Sequence, residues 1–256
     1  MHDAQQIKSR SITGVISYAF RSFFLQGIAL LASLLLAYYL SPEEFGIFFI
    51  VSSFIGLFTF LSDIGFAATL VQKKEEPTIE ELRTTFTVQQ FLAFLIAISI
   101  VALTPFWQLR YDLSSEGLYL LYALAGSFIL ASLKTIPSIL LERDLAFNKL
   151  VLPQIAEHLV FYGVTVWLAS QNYGLMSYTY AVWLRGIVGV GLIYLIQPWS
   201  IGIMFSLNAF KSLVRFGAKF QLNDLLARIK DDLLIVVMAW FLPAAQMGYL
   251  SWAKRW

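Results

Sequence analysis

The stretch SFFLQGIALLASLLLAYYLSPEEFGIFFIVSSFIGLFTFLS, from Ser22 to Ser62, decides the fold class. Its only charged residues, Glu43 and Glu44, stand next to each other. A bilayer core is about 30 Å thick, and a helix needs about 20 mostly apolar residues to cross it. The uncharged runs on both sides of the glutamates are about that long. The stretch therefore predicts two transmembrane helices joined by a short turn.

The composition of the whole chain agrees with this interpretation. Of 256 residues, 59% are hydrophobic and 13% are charged, whereas soluble domains carry about a quarter charged residues. Soluble and disordered classes are thereby excluded, and a net charge of +2 with scattered basic residues argues against a nucleic-acid partner. The chain has no cysteine, and His2 and His158 are its only histidines. We therefore expect no metal site and no cofactor.

Further apolar runs continue the pattern along the chain. The first helix is expected to begin near Ile12, and the second, from Phe45 to Ser62, could extend past Asp63 to Leu70. Five more helices are predicted at Arg83–Arg110, Gly117–Leu141, Leu150–Ser170, Leu175–Gln197 and Leu213–Leu242. The predicted fold is an all-α, multi-pass transmembrane helix bundle. A six-helix lobe over residues 1–210 is followed, over 211–256, by helix 7 and the start of helix 8.

Basic residues in alternate loops predict the orientation of the bundle. Only Arg110 falls on one side of the predicted membrane. The opposite side carries Lys8, Arg10, Lys73, Lys74, Arg83, Arg143, Lys149, Lys211, Arg215 and Lys219. Because cytoplasmic loops are enriched in Lys and Arg, the N-terminus is predicted to be cytoplasmic, in a cytoplasmic membrane.

Two segments of the chain resemble each other. Ala37–Phe49 reads AYYLSPEEFGIFF, and Ala239–Ser251 reads AWFLPAAQMGYLS. A shift that places the first alanine on the second also superposes Leu40 on Leu242 and Gly46 on Gly248. Such a parallel repeat is typical of transporters with two related halves, so we expect an N-terminal fragment containing one half. A chance match of turn residues is the alternative.

Two charged side chains are predicted to lie at equal depth on neighbouring helices. Lys134 is seven residues from one end of helix 4, and Glu157 is seven residues from the same side in helix 5, so both lie about 10 Å deep. A charge in the bilayer costs about 3 kcal/mol on insertion scales unless it has a partner or water. The sequence allows either a structural ion pair or direct contact with a substrate.

Arg185 lies near the middle of predicted helix 6 and is the strongest single candidate for a functional residue. On predicted helix 7, Asp224, Arg228 and Asp231 recur at i, i+4 and i+7 and form a polar stripe, the helix 7 stripe. Asp231 lies at the same predicted depth as Arg185. The two could pair, or Arg185 could bind an anionic ligand while Asp231 takes a proton. The other candidates for ion pairing or coupling are Asp63, Asp224 and Asp232.

Motifs of common enzyme classes are missing from the sequence. It contains no G-x-x-x-x-G-K-[ST] loop, no G-x-S-x-G elbow and no H-E-x-x-H pair. Asp112 and Glu116 could be mistaken for a catalytic pair, but a solvated loop explains them better. We therefore expect a protein that is not an enzyme.

Three stretches together resemble the polysaccharide and O-antigen flippases of the multidrug/oligosaccharidyl-lipid/polysaccharide exporter superfamily. They are LSPEEFGIFFIVSSFIGLFTFLSDIGFAATLVQKKE (Leu40–Glu75), LLERDLAFNKL (Leu140–Leu150) and KDDLLIVVMAWFLPAAQMGYLSWAKRW (Lys230–Trp256). The resemblance implies two six-helix lobes that move an undecaprenyl-diphosphate-linked glycan across the cytoplasmic membrane. Membrane lipids, a polysaccharide polymerase and a coupling H⁺ or Na⁺ are further candidate partners. The candidates to meet the diphosphate or acidic sugars are Arg185, Arg228 and Lys134.

Two other functions remain open at the level of sequence. An ion-coupled drug or cation antiporter of the same superfamily would favour a cavity dominated by carboxylates. A membrane-embedded glycan polymerase or acyltransferase would need a catalytic loop, and the predicted loops are short. Proton-coupled efflux of a cationic dye that depends on Asp231 would favour the antiporter.

Overall fold

The computed structural model describes the backbone of residues 4–62, 65–111 and 113–254, and the side chains of residues 21–59, 65–111, 113–215, 217 and 232–254. Every regular element in these ranges is a helix, which confirms the predicted all-α fold. The ten helices are α1 (Ala4–Tyr39), α2 (Pro42–Ser62), α3 (Phe66–Gln72), α4 (Ile79–Ala102), α5 (Thr104–Tyr111), α6 (Ser115–Arg143), α7 (Phe147–Ser170), α8 (Met176–Ile196), α9 (Leu207–Met238) and α10 (Ala244–Ala253).

Six helices in the described part of the chain are long and apolar enough to cross a membrane: α1, α2, α4, α6, α7 and α8. They correspond to the first six predicted spans. Large apolar side chains on these helices, such as Phe23, Leu31 and Ile98, are exposed, as lipid contact requires. The protein is therefore a multi-pass membrane protein. Helix α9 covers the predicted seventh span from Leu213 to Met238, and its side chains at 216 and 218–231 lie outside the described residues.

Two of the predicted helices are interrupted. The extension of the second helix to Leu70 is wrong, because α2 ends at Ser62 and α3 starts at Phe66, after Gly65 with a φ of 76°. That left-handed conformation favours glycine and breaks the helix. The predicted third span is likewise divided into α4 and α5 around Leu103. Pro105, which follows, supplies no backbone N–H to continue the α4 hydrogen-bond pattern.

The sequences SPEE at Ser41–Glu44 and TIEE at Thr78–Glu81 have the pattern of a capping box, and each forms one at the start of a span. At α4, the Thr78 side chain accepts a hydrogen bond from the backbone of Glu81, and Glu81 Oε2 accepts one from the Thr78 N–H at 2.9 Å. At α2, Glu44 Oε2 accepts a bond from the Ser41 N–H at 2.7 Å. Local sequence therefore fixes where these helices begin.

The helices of the lobe pack as one connected bundle. Helix α7 packs on α8 and α1, and α6 packs on α8 and α4. Helix α2 packs on α6 and also on α9 and α10. The predicted 211–256 unit includes α9 and α10, but α9 begins at Leu207. The division into units at 210 stays a prediction.

The two similar segments meet at a glycine junction, formed by Gly46 with Ala244 and Gly248 with Pro42. A Cβ on Gly46 would overlap the carbonyl oxygen of Ala244, and a Cβ on Gly248 would overlap that of Pro42. The sequence shift that matches the segments places Pro42 on Ala244 and Gly46 on Gly248. The two contacts are therefore reciprocal, as in a local two-fold relation between equivalent helices.

Candidate functional site

A charged cluster formed by Lys134, Glu157 and Arg185 lies among α6, α7 and α8. Lys134 Nζ is 2.6 Å from Glu157 Oε1, and both side chains are largely buried. The sequence placed this pair at equal depth on neighbouring helices, and the structure brings the two together. At this distance the contact is a charge-assisted hydrogen bond.

Arg185 lies near the other oxygen of the same carboxylate. Its Nε is 3.9 Å from Glu157 Oε2, and its guanidinium carbon lies 5.5 Å from the centre of the Phe161 ring. The Arg185 side chain remains 45% exposed. In the described part of the chain, the acidic partner of Arg185 is thus Glu157. Two cations share one carboxylate, which leaves the cluster with an excess positive charge.

The hairpin of α7 and α8 positions this cluster. Asn172 and Gly174 adopt left-handed conformations in the connecting turn, with φ values of 62° and 52°. The two helices then pack along each other, and Gly189 on α8 faces Glu157 so closely that a Cβ there would overlap the carboxylate. A side chain at position 189 would therefore displace Glu157 from its two cations.

A second polar contact continues the site along α7. Arg21 on α1 donates a hydrogen bond from Nη1 to Gln154 Oε1, and Gln154 lies one helical turn before Glu157. Sequence reasoning did not select Arg21 or Gln154. The three-residue spacing of Gln154 and Glu157 was the available signal, because it places both on one helix face.

Beside Lys134 lies the α6 cavity, with a volume of about 280 Å³. Helices α3 and α4 contribute Ala67 and Gln89 to its wall. The remaining lining comes from α6: Phe128, Ala131, Ser132, Lys134, Thr135, Ser138, Ile139 and Glu142. The cavity therefore combines one cation, one carboxylate, three hydroxyls and an amide. Of these polar residues, sequence reasoning selected Lys134 alone.

The helix 7 stripe and Asp63 cannot be placed in the same way. Asp63 and the side chains of Asp224, Arg228 and Asp231 lie outside the described residues. Asp232 is described, and its carboxylate lies against α2, where Oδ2 would be 2.5 Å from a Cβ on Gly56. Their proposed roles in coupling or substrate binding stay predictions.

The LERD segment has a structural role that the sequence did not reveal. Arg143 Nη1 donates hydrogen bonds to the carbonyl oxygens of Leu70 at 2.5 Å and Lys73 at 2.8 Å, and Nη2 donates one to that of Glu75 at 2.8 Å. These carbonyls lie at and after the end of α3, so Arg143 caps that helix from α6.

Comparisons with known proteins add the family. No curated protein and no solved structure matches the chain. The sequence profile of the polysaccharide biosynthesis protein family does match, over residues 35–256. This range includes the glycine junction, the charged cluster and the α6 cavity. Because the match covers most of the chain, the chain belongs to the polysaccharide biosynthesis protein family.

Proposed function

We propose that the protein translocates an undecaprenyl-diphosphate-linked oligosaccharide across the cytoplasmic membrane by alternating access, with its N-terminus in the cytoplasm. The charged cluster beside the α6 cavity carries the proposal. Family membership supports a role in polysaccharide biosynthesis, and the absence of familiar enzyme motifs from the sequence favours transport over catalysis. The glycan would come from the enzymes of polysaccharide synthesis and pass to a polymerase.

Arg185 is the cation best suited to bind the diphosphate. Glu157 holds Lys134 at 2.6 Å but Arg185 only at 3.9 Å. Arg185 is also the more exposed of the two cations. An incoming diphosphate can therefore take the guanidinium while Lys134 keeps its carboxylate. A guanidinium matches phosphate oxygens with two parallel hydrogen bonds, which gives strength and orientation.

The α6 cavity supplies groups that suit the sugar. Gln89, Thr135 and Ser138 line it with amide and hydroxyl groups, which form hydrogen bonds with sugar hydroxyls. Its volume of about 280 Å³ is near the lower limit of ligand pockets. It therefore suits a small part of a glycan, while the rest of the substrate and its lipid tail stay outside.

Binding of the lipid headgroup tests this proposal. The chain would be placed in lipid nanodiscs, and the affinities for undecaprenyl diphosphate and uncharged undecaprenol compared. We expect Arg185→Ala to reduce the preference for the diphosphate by about tenfold or more, because a charge-assisted bond is lost. Arg110→Ala removes an exposed arginine elsewhere and serves as the matched control.

Glu157→Gln gives a result of opposite sign. Glu157 competes with the diphosphate for Arg185, so its neutral variant should bind the diphosphate more tightly than the wild type. A purely structural cluster would give no such gain. Equal preference in wild type and Arg185→Ala, or no gain in Glu157→Gln, would contradict the assigned role. Translocation itself is measured in proteoliposomes, as transfer of a labelled lipid-linked glycan between leaflets.

A further inference from the structure

Glu142 lines the α6 cavity and has no role in the charged cluster. It follows Ser138 by one turn and precedes Arg143, the residue that caps α3. The two neighbours in the LERD segment thus serve different places, because Arg143 is committed to backbone carbonyls while Glu142 lines the cavity. Adjacent helical residues point about 100° apart, which keeps the guanidinium from covering the carboxylate.

Glu142 forms no ion pair among the residues that the structure describes. Lys134, in the same cavity, is held by Glu157. Lys73 is held by Glu81 at 2.8 Å. Arg83 lies against the segment after α8, where its Nε would be 2.5 Å from a Cβ on Gly202.

The helices that pack against α6 carry the charged and titratable groups that could pair with Glu142. Helix α3 contributes none. The others are Glu43 and Glu44 on α2, Glu80, Glu81 and Arg83 on α4, Lys149, Glu157, His158 and Tyr162 on α7, and Tyr178, Tyr180, Arg185 and Tyr194 on α8. Among the described residues, none of these groups forms an ion pair with the Glu142 carboxylate.

Uncharged polar groups surround the carboxylate on its own helix face. Thr135, Ser138 and Glu142 follow one another at spacings of three and four residues, which places them in a row along the cavity. Gln89 faces them from α4. Hard divalent cations such as Ca²⁺ take about six to eight oxygen ligands. The carboxylate of Glu142 and the few neighbouring oxygens do not supply that many. A proton needs only the carboxylate and a hydroxyl that accepts its hydrogen bond.

We propose that Glu142 is a proton-binding site within the α6 cavity, and that its protonation couples transport to the proton gradient. A half-buried carboxylate without a cation partner is costly to keep charged. The polar cavity gives water a route to it. Proton binding at Glu142 does not depend on the proposed transport function. The coupling role does depend on that function.

Labelling with dicyclohexylcarbodiimide tests the site without a transport assay, because this reagent reacts with protonated carboxyl groups in sheltered places. Intact mass and peptide mapping of the wild-type protein should show an adduct on Glu142 that decreases as the pH rises. Sodium ions should leave the labelling unchanged. Glu80→Gln removes an exposed carboxylate and should keep the adduct, whereas Glu142→Gln should lose it.

Three results would overturn the site: no adduct on Glu142, labelling that does not depend on pH, or protection by Na⁺. The last would identify a sodium site instead. The coupling role is tested by Glu142→Gln in proteoliposomes, which should translocate glycan at a rate that no longer responds to a pH gradient. A retained response would reject the coupling alone. If the wild type moves no glycan at all, the proposed function fails while the labelling result still decides the proton site.

Discussion

The glycine junction and the charged cluster hold helices together in opposite ways. At the glycine junction, α2 and α10 approach until the backbone at Gly46 and Gly248 contacts the carbonyls of Ala244 and Pro42. At the charged cluster, long side chains from three helices meet around Glu157, and a cavity lies beside them. One region leaves no room for a side chain, and the other keeps space for polar groups.

The difference follows from the bilayer as a solvent. Lipid tails are as apolar as leucine, so helices gain little from burying apolar side chains against each other. They associate through close backbone packing at small residues or through polar contacts. The glycine junction uses the first means and has no need of polar side chains. The charged cluster uses the second, which also provides groups that a charged substrate can bind.

The largest effect is expected from filling the glycine junction. Gly248→Leu would place a side chain where the Pro42 carbonyl lies, and a backbone clash of this kind cannot be relieved by a change of rotamer. We expect a loss of more than about 3 kcal/mol in the free energy of unfolding, above the usual range of about 1 to 3 kcal/mol for overpacking, because backbone atoms would have to move. Thermal unfolding in detergent, followed by circular dichroism, measures it.

Gly163→Leu is the matched control, because nothing lies within 4 Å of a Cβ at that helical position. Its unfolding temperature should stay near that of the wild type. Equal stability of Gly248→Leu and Gly163→Leu would show that α2 and α10 do not pack as described.

Breaking the charged cluster should cost somewhat less. Glu157→Leu leaves Lys134 largely buried without its partner, and removing one member of a buried ion pair costs about 3 kcal/mol. The double variant Lys134→Met with Glu157→Leu should recover most of that loss, since no uncompensated charge remains on the pair. The double-mutant cycle is measured by thermal unfolding under identical conditions. Additive losses would show that the two residues do not interact.

Much of the fold could be predicted from the sequence because its signals are local. Long, mostly apolar runs marked the first six spans, and Thr78 with Glu81 marked the start of α4. Depth along the helix was enough to match Lys134 with Glu157. The interruption at Gly65 was missed because Asp63 is the single charge before a further apolar run, and a glycine does not by itself end a helix.

The rest of the candidate site depends on how the helices are rotated and packed. Arg185 meets Glu157 only because Gly189 lets α8 approach the carboxylate, which depth alone does not predict. Thr135, Ser138 and Glu142 follow a regular spacing in the sequence, but only the positions of α3 and α4 show that a cavity faces them. The sequence assigns Arg143 only to the basic side of the membrane. Its role as a cap depends on the position of the end of α3, which the sequence does not show.

The smallest effect is expected where a local signal acts by itself. Thr78→Ala removes the hydroxyl that accepts from the Glu81 backbone, although Glu81 still has Lys73 as an ion-pair partner. Loss of an N-cap costs about 1 kcal/mol, which is less than either change at the two contact regions. Thr78→Ser keeps the hydroxyl and should match the wild type. Hydrogen exchange at the first turn of α4 should rise in the alanine variant alone. An equal rise in both variants would mean that the threonine methyl group, rather than the cap, stabilises this start.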